Sequence, residues 1–276
     1  MTSDNVERIE AIRDPAERLR AATEGIAQAQ RDLVELGRIR KSLIDELRQQ
    51  GMSFSEIGEM AGLTRGRIHQ ILQAGPPTES RFFGHSPITV ALPLRYLPGR
   101  PEEPVISSED ERAYEMLAGF LADLAFEVKR FLIPVGEPWS APTASTVAIC
   151  GPKSSATIAE AIARDPVFAF EPDPEDRWVI RHRLTSEVYV SPIDTGARTR
   201  TRDIAYVGRI TTRKQRLLII AGVHSLGSVG AVHYIQHNLH DLYRQAGLKD
   251  FSMVVASHHK GTQVVESSAL CPPTLH

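Results

Sequence analysis

Cysteine is scarce in this chain: only Cys150 and Cys271 occur in 276 residues. Two cysteines cannot build a disulfide framework or a four-thiolate metal cage, and they suit a reducing compartment, so a cytoplasmic location is expected. Long apolar runs are missing as well. No stretch approaches the roughly 20 apolar residues that cross a bilayer, so no membrane partner is expected. The opening MTSDNVERIE is charged rather than signal-like. An excess of one charge is also lacking, because the formal net charge is −2; proteins that coat nucleic acid without regard to sequence are strongly basic. Repeats and low-complexity tracts are absent. What remains is an ordinary globular composition, 42% hydrophobic and 24% charged, in a chain long enough for two modest domains.

The most informative segment that is present runs from Phe54 to Gln73, FSEIGEMAGLTRGRIHQILQ. Ile57, Ala61, Leu63, Ile68 and Ile71 fall where two crossing helices bury apolar groups. Gly58 is small where the second helix passes close, and Gly62 sits where the turn needs a positive φ. Thr64 caps the second helix. The exposed face of that helix then carries Arg65, Gly66, Arg67, His69 and Gln70, and long polar side chains with no bulk at Gly66 suit a major groove. The segment before it, from Arg40 to Gly51 and Ser53, reads as a helix that ends in glycine and is followed by a serine cap.

This pattern resembles the helix-turn-helix of bacterial repressors and of the promoter-reading region of sigma factors, over about 40 residues from Arg38 to Gly75. The resemblance implies double-stranded DNA as a partner, with Arg65, Arg67, His69 and Gln70 at base edges and Thr64 at phosphate. The plainer alternative is a helical hairpin with a polar outer face. Between Leu36 and Gly75 six cations face four acids. So slight an excess makes a lone module a weak DNA binder, and a dimer on two half-sites is expected. A seam for pairing precedes the module. After the Asp14-Pro15 cap, Leu19, Ala22, Ile26, Ala29, Leu33, Leu36, Leu43 and Leu47 recur with 3-4 spacing, interrupted at Arg40. Such a seam serves a homodimer or packs back on its own domain, and Gly37 offers a point at which the helix could divide.

Residues 1–75 are therefore read as a helical DNA-binding and dimerisation domain, 76–87 as a Pro- and Ser-containing linker, and 88–276 as an α/β domain. In the last, ITVALPL (88–94) is a strand, LPGRPEEP a Pro-rich loop, and a helix opens at Ser107 and runs to about Leu132. Val147–Cys150, Val167–Phe170, Trp178–His182, Val188–Val190, Ile204–Ile210, Leu217–Ala221 and Ser252–Ala256 read as strands. Helices are expected at 155–164 and 228–246. The alternation points to a Rossmann-like, doubly wound α/β sandwich.

Two strand-to-helix turns in that domain carry the residues for a ligand site. One contains Gly151, Pro152, Lys153, Ser154 and Ser155. The other contains Gly222, His224, Ser225, Gly227 and Ser228. Glycine lets a backbone approach closely, serine adds hydroxyls, Lys153 adds charge, and Arg209 on a strand lies where it could reach the same ligand. Ligands of open α/β sheets bind at the carboxyl ends of strands, where helix N-termini face anions, so a nucleotide-like or other anionic ligand is expected. Neither turn is a P-loop or a G-x-G-x-x-G element; glycine and serine as plain turn and cap residues are the alternative. No serine fits a G-x-S-x-G elbow, because Val223 and Leu226 stand two residues before Ser225 and Ser228, and nothing in the sequence brings Asp194 and His224 together. His233, His237 and His240 have helical spacing without a supporting carboxylate, so no metal is expected. The basic run Arg198–Arg202 reads as a solvated loop. No cofactor is expected. These readings converge on a dimeric DNA-binding transcription regulator with a ligand-sensing second domain. The alternative is a nucleotide- or nucleoside-processing enzyme, of a defence-associated kind among others, carrying a DNA-targeting head.

Overall fold

A computed structural model describes residues 2–97, 99–196, 201–213 and 215–276. The chain forms two compact units, one ending at Thr78 and one running from Glu79 to His276.

The first unit is helical. After α1 (Thr2–Glu10), α2 spans Pro15–Gln49, starting where Asp14 accepts hydrogen bonds from the N–H groups of Ala16 and Glu17. Gly37 does not divide it, since a lone glycine in a long helix costs only about 1 kcal/mol and the helix continues through it. Two short helices follow, α3 (Phe54–Ala61) and α4 (Arg65–Gln73). Ser53 and Glu56 form a reciprocal capping box at the start of α3. Gly62 closes that helix at φ 66°, and Thr64 Oγ1 accepts from Arg67 N at 3.1 Å to open α4. At Gly58 a Cβ would stand 2.5 Å from the Leu63 carbonyl oxygen, so the turn returns too tightly for any larger residue. Ile44, Ile57, Ile68 and Ile71 form the small core, with Leu47 and Phe54 packed against it. Ala61, expected in that core, is exposed.

The second unit begins within the stretch expected as a linker. Thr78–Phe83 is a 3-10 helix, and the rings of Phe82 and Phe83 are buried in the main core. Seven strands form one mixed sheet, so the fold is α+β. In chain order these are β1 (Ile88–Pro93), β4 (Val128–Ile133), β5 (Thr146–Ile149), β9 (Arg202–Thr211), β10 (Arg216–Gly222), β11 (Phe251–Lys260) and β12 (Gln263–Leu275). They lie in the order β12-β11-β9-β10-β5-β1-β4, parallel from β4 to β10 and antiparallel from β10 to β12. The antiparallel half departs from a doubly wound sheet. Only residues 212–215 separate β9 from β10, and so short a turn joins antiparallel neighbours, not a parallel crossover. A β2–β3 ribbon (Arg95–Leu97, Arg100–Val105) occupies the stretch read as a Pro-rich loop. β6 (Phe168–Pro172), β7 (Trp178–His182) and β8 (Val188–Val190) form a separate antiparallel sheet.

Helix α5 (Ser108–Asp123) stops earlier than the helix read from the sequence. Ala125 takes φ 59°, and residues from Val128 onward pair with β1 as β4. Alternation along the central strands separates two cores. Val90, Val147 and Ile220 face α5 and α7 (Ser225–Ala246), whereas Ala91, Ala148 and Ile219 face α6 (Ala156–Ile162) and the small sheet. Leu217, Ile219 and Ile220 are fully buried, each stabilising the fold by about 1.5–3 kcal/mol relative to exposure.

Candidate functional site

The chain leaves β1 toward β4 through α5 on one face of the sheet, and leaves β5 toward β10 through α6 on the other. Adjacent parallel strands whose connections diverge leave a crevice beyond their carboxyl ends. A cavity of about 850 Å³ opens there, lined by Pro93–Tyr96 after β1, Ile149–Ser155 after β5 and Gly222–Ser225 after β10. Phe170, Trp178 and Ile193 supply apolar wall, and Glu109 and Asp110 of α5 supply acid.

Of the residues expected to hold a ligand, Gly151, Lys153, Ser154, Ser155, Gly222, His224, Ser225 and Ser228 all border this one cavity. Lys153 is exposed. Two of the serines already have partners: Ser155 Oγ accepts from Trp139 Nε1 at 2.9 Å while capping α6, and Ser228 Oγ accepts from Gly222 N at 3.0 Å. The tight return after β10 explains Gly222, where a Cβ would strike the His224 carbonyl oxygen.

Arg209 and Gly227 are corrections. Arg209 is buried away from the cavity. Its guanidinium donates to the carbonyls of Phe82, Gly247 and Lys249 at 2.6–3.0 Å and stacks 4.6 Å from the Phe82 ring. Burial pulls its pKa down to about 10. It clamps the 3-10 helix at Phe82 to the turn after α7 at Gly247 and Lys249, a role strand alternation could not show. Gly227 does not line the cavity either; α7 passes so close to β9 there that a Cβ would strike the Ile204 carbonyl oxygen.

The sequence reading missed three acidic and basic groups. Asp203, 1% exposed, accepts from Ser191 Oγ at 2.7 Å, Ile204 N at 2.8 Å, His224 N at 3.1 Å and Gly227 N at 2.6 Å. A buried carboxylate therefore already satisfies N–H groups at the start of α7, where an anionic ligand was expected. Burial, opposed by these hydrogen bonds, pushes the Asp203 pKa up to about 6. Asp110 and Arg95 form an ion pair in the cavity wall. Burial raises the Asp110 carboxyl, against the Ser107 hydrogen bond and the Arg95 charge. Burial likewise pushes the Cys150 thiol well above its ordinary value, so this cysteine is an inert wall residue. Only the Ser107-x-x-Asp110 capping pattern at the start of α5 and an aspartate, Asp203, near the head of a largely apolar strand could have hinted at these groups.

Asp194 and His224, which the sequence did not connect, are paired: His224 Nε2 lies 2.9 Å from each Asp194 carboxylate oxygen. His233 and His237 stack with ring centroids 4.0 Å apart, and among the described residues no group of three metal-binding side chains occurs. Of the basic run, Arg198 and Arg200 lie outside the described residues, and Arg202 is exposed at the start of β9.

In the first unit, Ile68 and Ile71 turn one face of α4 into the core, and Thr64, Arg65, Gly66, Arg67, His69 and Gln70 are all exposed. Arg67 Nη1 donates to Gln70 Oε1 at 3.2 Å, and the His69 ring lies 4.9 Å from that of Phe54. Apart from its chain neighbours and the backbone of its own helix, nothing lies within 4 Å of a Cβ placed on Gly66. Among the described residues no helix is long and apolar enough to cross a membrane. Comparison with protein families, with curated proteins and with solved structures finds no match for this chain.

Proposed function

We propose that this protein is a cytoplasmic DNA-binding transcription regulator that works as a homodimer and senses a nucleotide-like ligand in its second unit. The observation that carries the reading is α4. Two isoleucines anchor one face, and the other presents Arg65, Arg67, His69 and Gln70 around the bare backbone of Gly66. The α3–turn–α4 geometry supports a helix-turn-helix in which α4 enters the major groove, its long side chains meet base edges, and Thr64 meets phosphate.

The cavity supports the sensing role. The diverging connections at β1 and β5 support a Rossmann-like reading of the parallel half, with the ligand at its switch point. Asp203 occupies the end of α7, so Lys153 and Arg95, not that helix end, supply the attraction for phosphate. Phe170 and Trp178 offer a base an aromatic wall. Bound ligand alters DNA binding only as far as it prefers one arrangement of the dimer.

The Asp194–His224 pair favours a second reading, an enzyme acting on nucleotides or nucleosides. An aspartate that fixes an imidazole in a cavity wall is the arrangement general acid–base chemistry uses.

Selection of bound duplexes from random DNA, followed by melting of the full chain with a panel of nucleotides, tests both parts. An enriched sequence and a nucleotide-dependent rise in Tm that Lys153→Ala abolishes are expected. No enriched sequence overturns DNA reading, no shift overturns sensing, and nucleotide consumption replaces the sensor with an enzyme.

A further inference from the structure

Helix α2 carries an apolar seam that its own unit leaves uncovered. Ile26, Leu33, Leu36 and Leu43 are 61%, 71%, 62% and 48% exposed, although they stand at coiled-coil spacing. Only the last seam residue, Leu47, is covered: with the neighbouring Ile44 it packs against α3 and α4. The stretch from Ile26 to Leu43 is thus left open, and at Leu33 and Arg40 it borders an apolar groove of about 540 Å³ whose far edge is formed by Ile71 and Ala74, with Arg67 and Gln70 beside them.

The seam residues select a partner and a direction. Arg40 interrupts the seam between Leu36 and Leu43 and is exposed. In a parallel pair each seam residue meets itself, so two Arg40 guanidinium groups would share one layer, a like-charge contact in the interface centre. In an antiparallel pair the two seam positions of the heptad face each other instead. One register places Leu33 opposite the partner's Leu36 and Ile26 opposite the partner's Leu43. Large apolar groups then meet large ones, and Arg40 falls opposite the partner's Ala29, where there is room for it. In that register the partner's Asp32 lies one helical turn away, within reach of the Arg40 guanidinium. Shifting the helices by a heptad breaks this match, setting Leu33 against the partner's Ala29 or Arg40 against the partner's Leu36.

We infer that α2 pairs with α2 of a second copy of this chain, antiparallel and in this register, with the Arg40–Asp32 contact made twice. The inference rests on the dimeric reading proposed above and gives it a geometry. The two-fold axis crosses the helices between residues 34 and 35, so the pair of α4 helices is related by an isologous two-fold, as a palindromic DNA site requires.

Disulfide trapping in the full-length protein tests it. Residue 26 of one copy and residue 26 of the other are roughly 25 Å apart in this register at 1.5 Å per residue, whereas 26 and the partner's 43 are adjacent. Oxidised Ile26→Cys and Leu43→Cys single variants should show no more covalent dimer than the parent, which controls for Cys150 and Cys271. The double variant should cross-link, with peptide mapping joining residues 26 and 43. Cross-linking of the single Ile26→Cys variant to itself overturns the antiparallel arrangement and leaves the dimer standing. In light scattering, Arg40→Glu should weaken the dimer at least tenfold, and adding Asp32→Arg should restore it; failure of the second change to restore overturns the register. A dimer that persists in Leu33→Glu overturns the α2 interface alone. A monomeric wild type overturns both this inference and the dimeric reading.

Discussion

His224 Nε2 lies 2.9 Å from both carboxylate oxygens of Asp194, thirty positions earlier in the chain. The His224 side chain remains 40% exposed in the cavity wall while Asp194 is 19% exposed. The aspartate therefore fixes the ring plane and leaves the rest of the imidazole for a ligand. With Asp194→Asn and His224→Gln, the fold should persist and nucleotide-induced stabilisation should shrink, with nucleotide unconsumed by any of the three proteins. Thermal melts and chromatography of the incubated nucleotide check this. Consumption by the wild type that drops about 10²–10⁴-fold in His224→Gln would favour the enzyme reading instead.

Asp203 links the same region to pH. Its pKa of about 6 in the folded chain lies above the roughly 3.9 of an unfolded aspartate, so the folded state holds the proton more tightly. Stability from this group is fully present below about pH 4 and is lost as pH rises through about 6. Asparagine at this position does not titrate. Urea unfolding of wild type and Asp203→Asn at several pH values should show the wild-type advantage falling by on the order of 2–3 kcal/mol across that window, and staying level from pH 7 to 8. An advantage that grows with pH would mean that the four hydrogen bonds outweigh burial.

What the sequence revealed was what local chemistry dictates. Ser53, Gly62 and Thr64 mark helix ends because cap and turn positions demand those residues, and the continuous apolar run of β10 marks a strand buried on both faces. Strand direction was less legible. β9 and β10 were read as strands of a doubly wound sheet, because alternating strands and helices suggested parallel crossovers, although they pair as an antiparallel hairpin. β12 escaped notice because an edge strand with exposed Val265 and Leu270 lacks a buried-strand pattern. At the cavity, eight of the ten expected residues came together because turns after parallel strands share one end of a sheet. Asp203, Arg95 and Asp110 carried at most a local capping hint, since their roles depend on pairings across 12 to 24 residues. Arg209 misled for the same reason: its three carbonyl partners come from the 3-10 helix at Phe82 and the turn after α7, both distant in sequence.

Gly227 separates backbone packing from ligand contact. Its N–H donates to Asp203, and a Cβ would run into the Ile204 carbonyl, which cannot move without breaking the register of β9. Gly227→Ala should destabilise the second unit by at least the roughly 1–3 kcal/mol typical of overpacking, with or without nucleotide. A variant of unchanged stability that loses only the nucleotide response would return Gly227 to the binding site.

Gly66 should behave in the opposite way. It lies inside α4 with open space where a Cβ would point, so Gly66→Ala should stabilise the first unit by about 0.5–1 kcal/mol through helix propensity alone. The same methyl projects from the face proposed to enter the major groove, between Arg65 and Arg67. Affinity for the selected DNA should fall although the protein becomes more stable, a combination that damage to the fold cannot produce. Arg65→Ala and Arg67→Ala supply the comparison, each expected to cost about 1–3 kcal/mol on the selected sequence and less on unrelated DNA if the guanidinium groups read bases. Arg67 starts from a hydrogen bond to Gln70, so Gln70→Ala frees its guanidinium and should change sequence preference more than overall affinity. Fluorescence anisotropy at two salt concentrations distinguishes the outcomes, because phosphate contacts alter the salt slope and base contacts alter specificity. Unchanged affinity in Gly66→Ala, Arg65→Ala and Arg67→Ala together would remove α4 from the DNA interface.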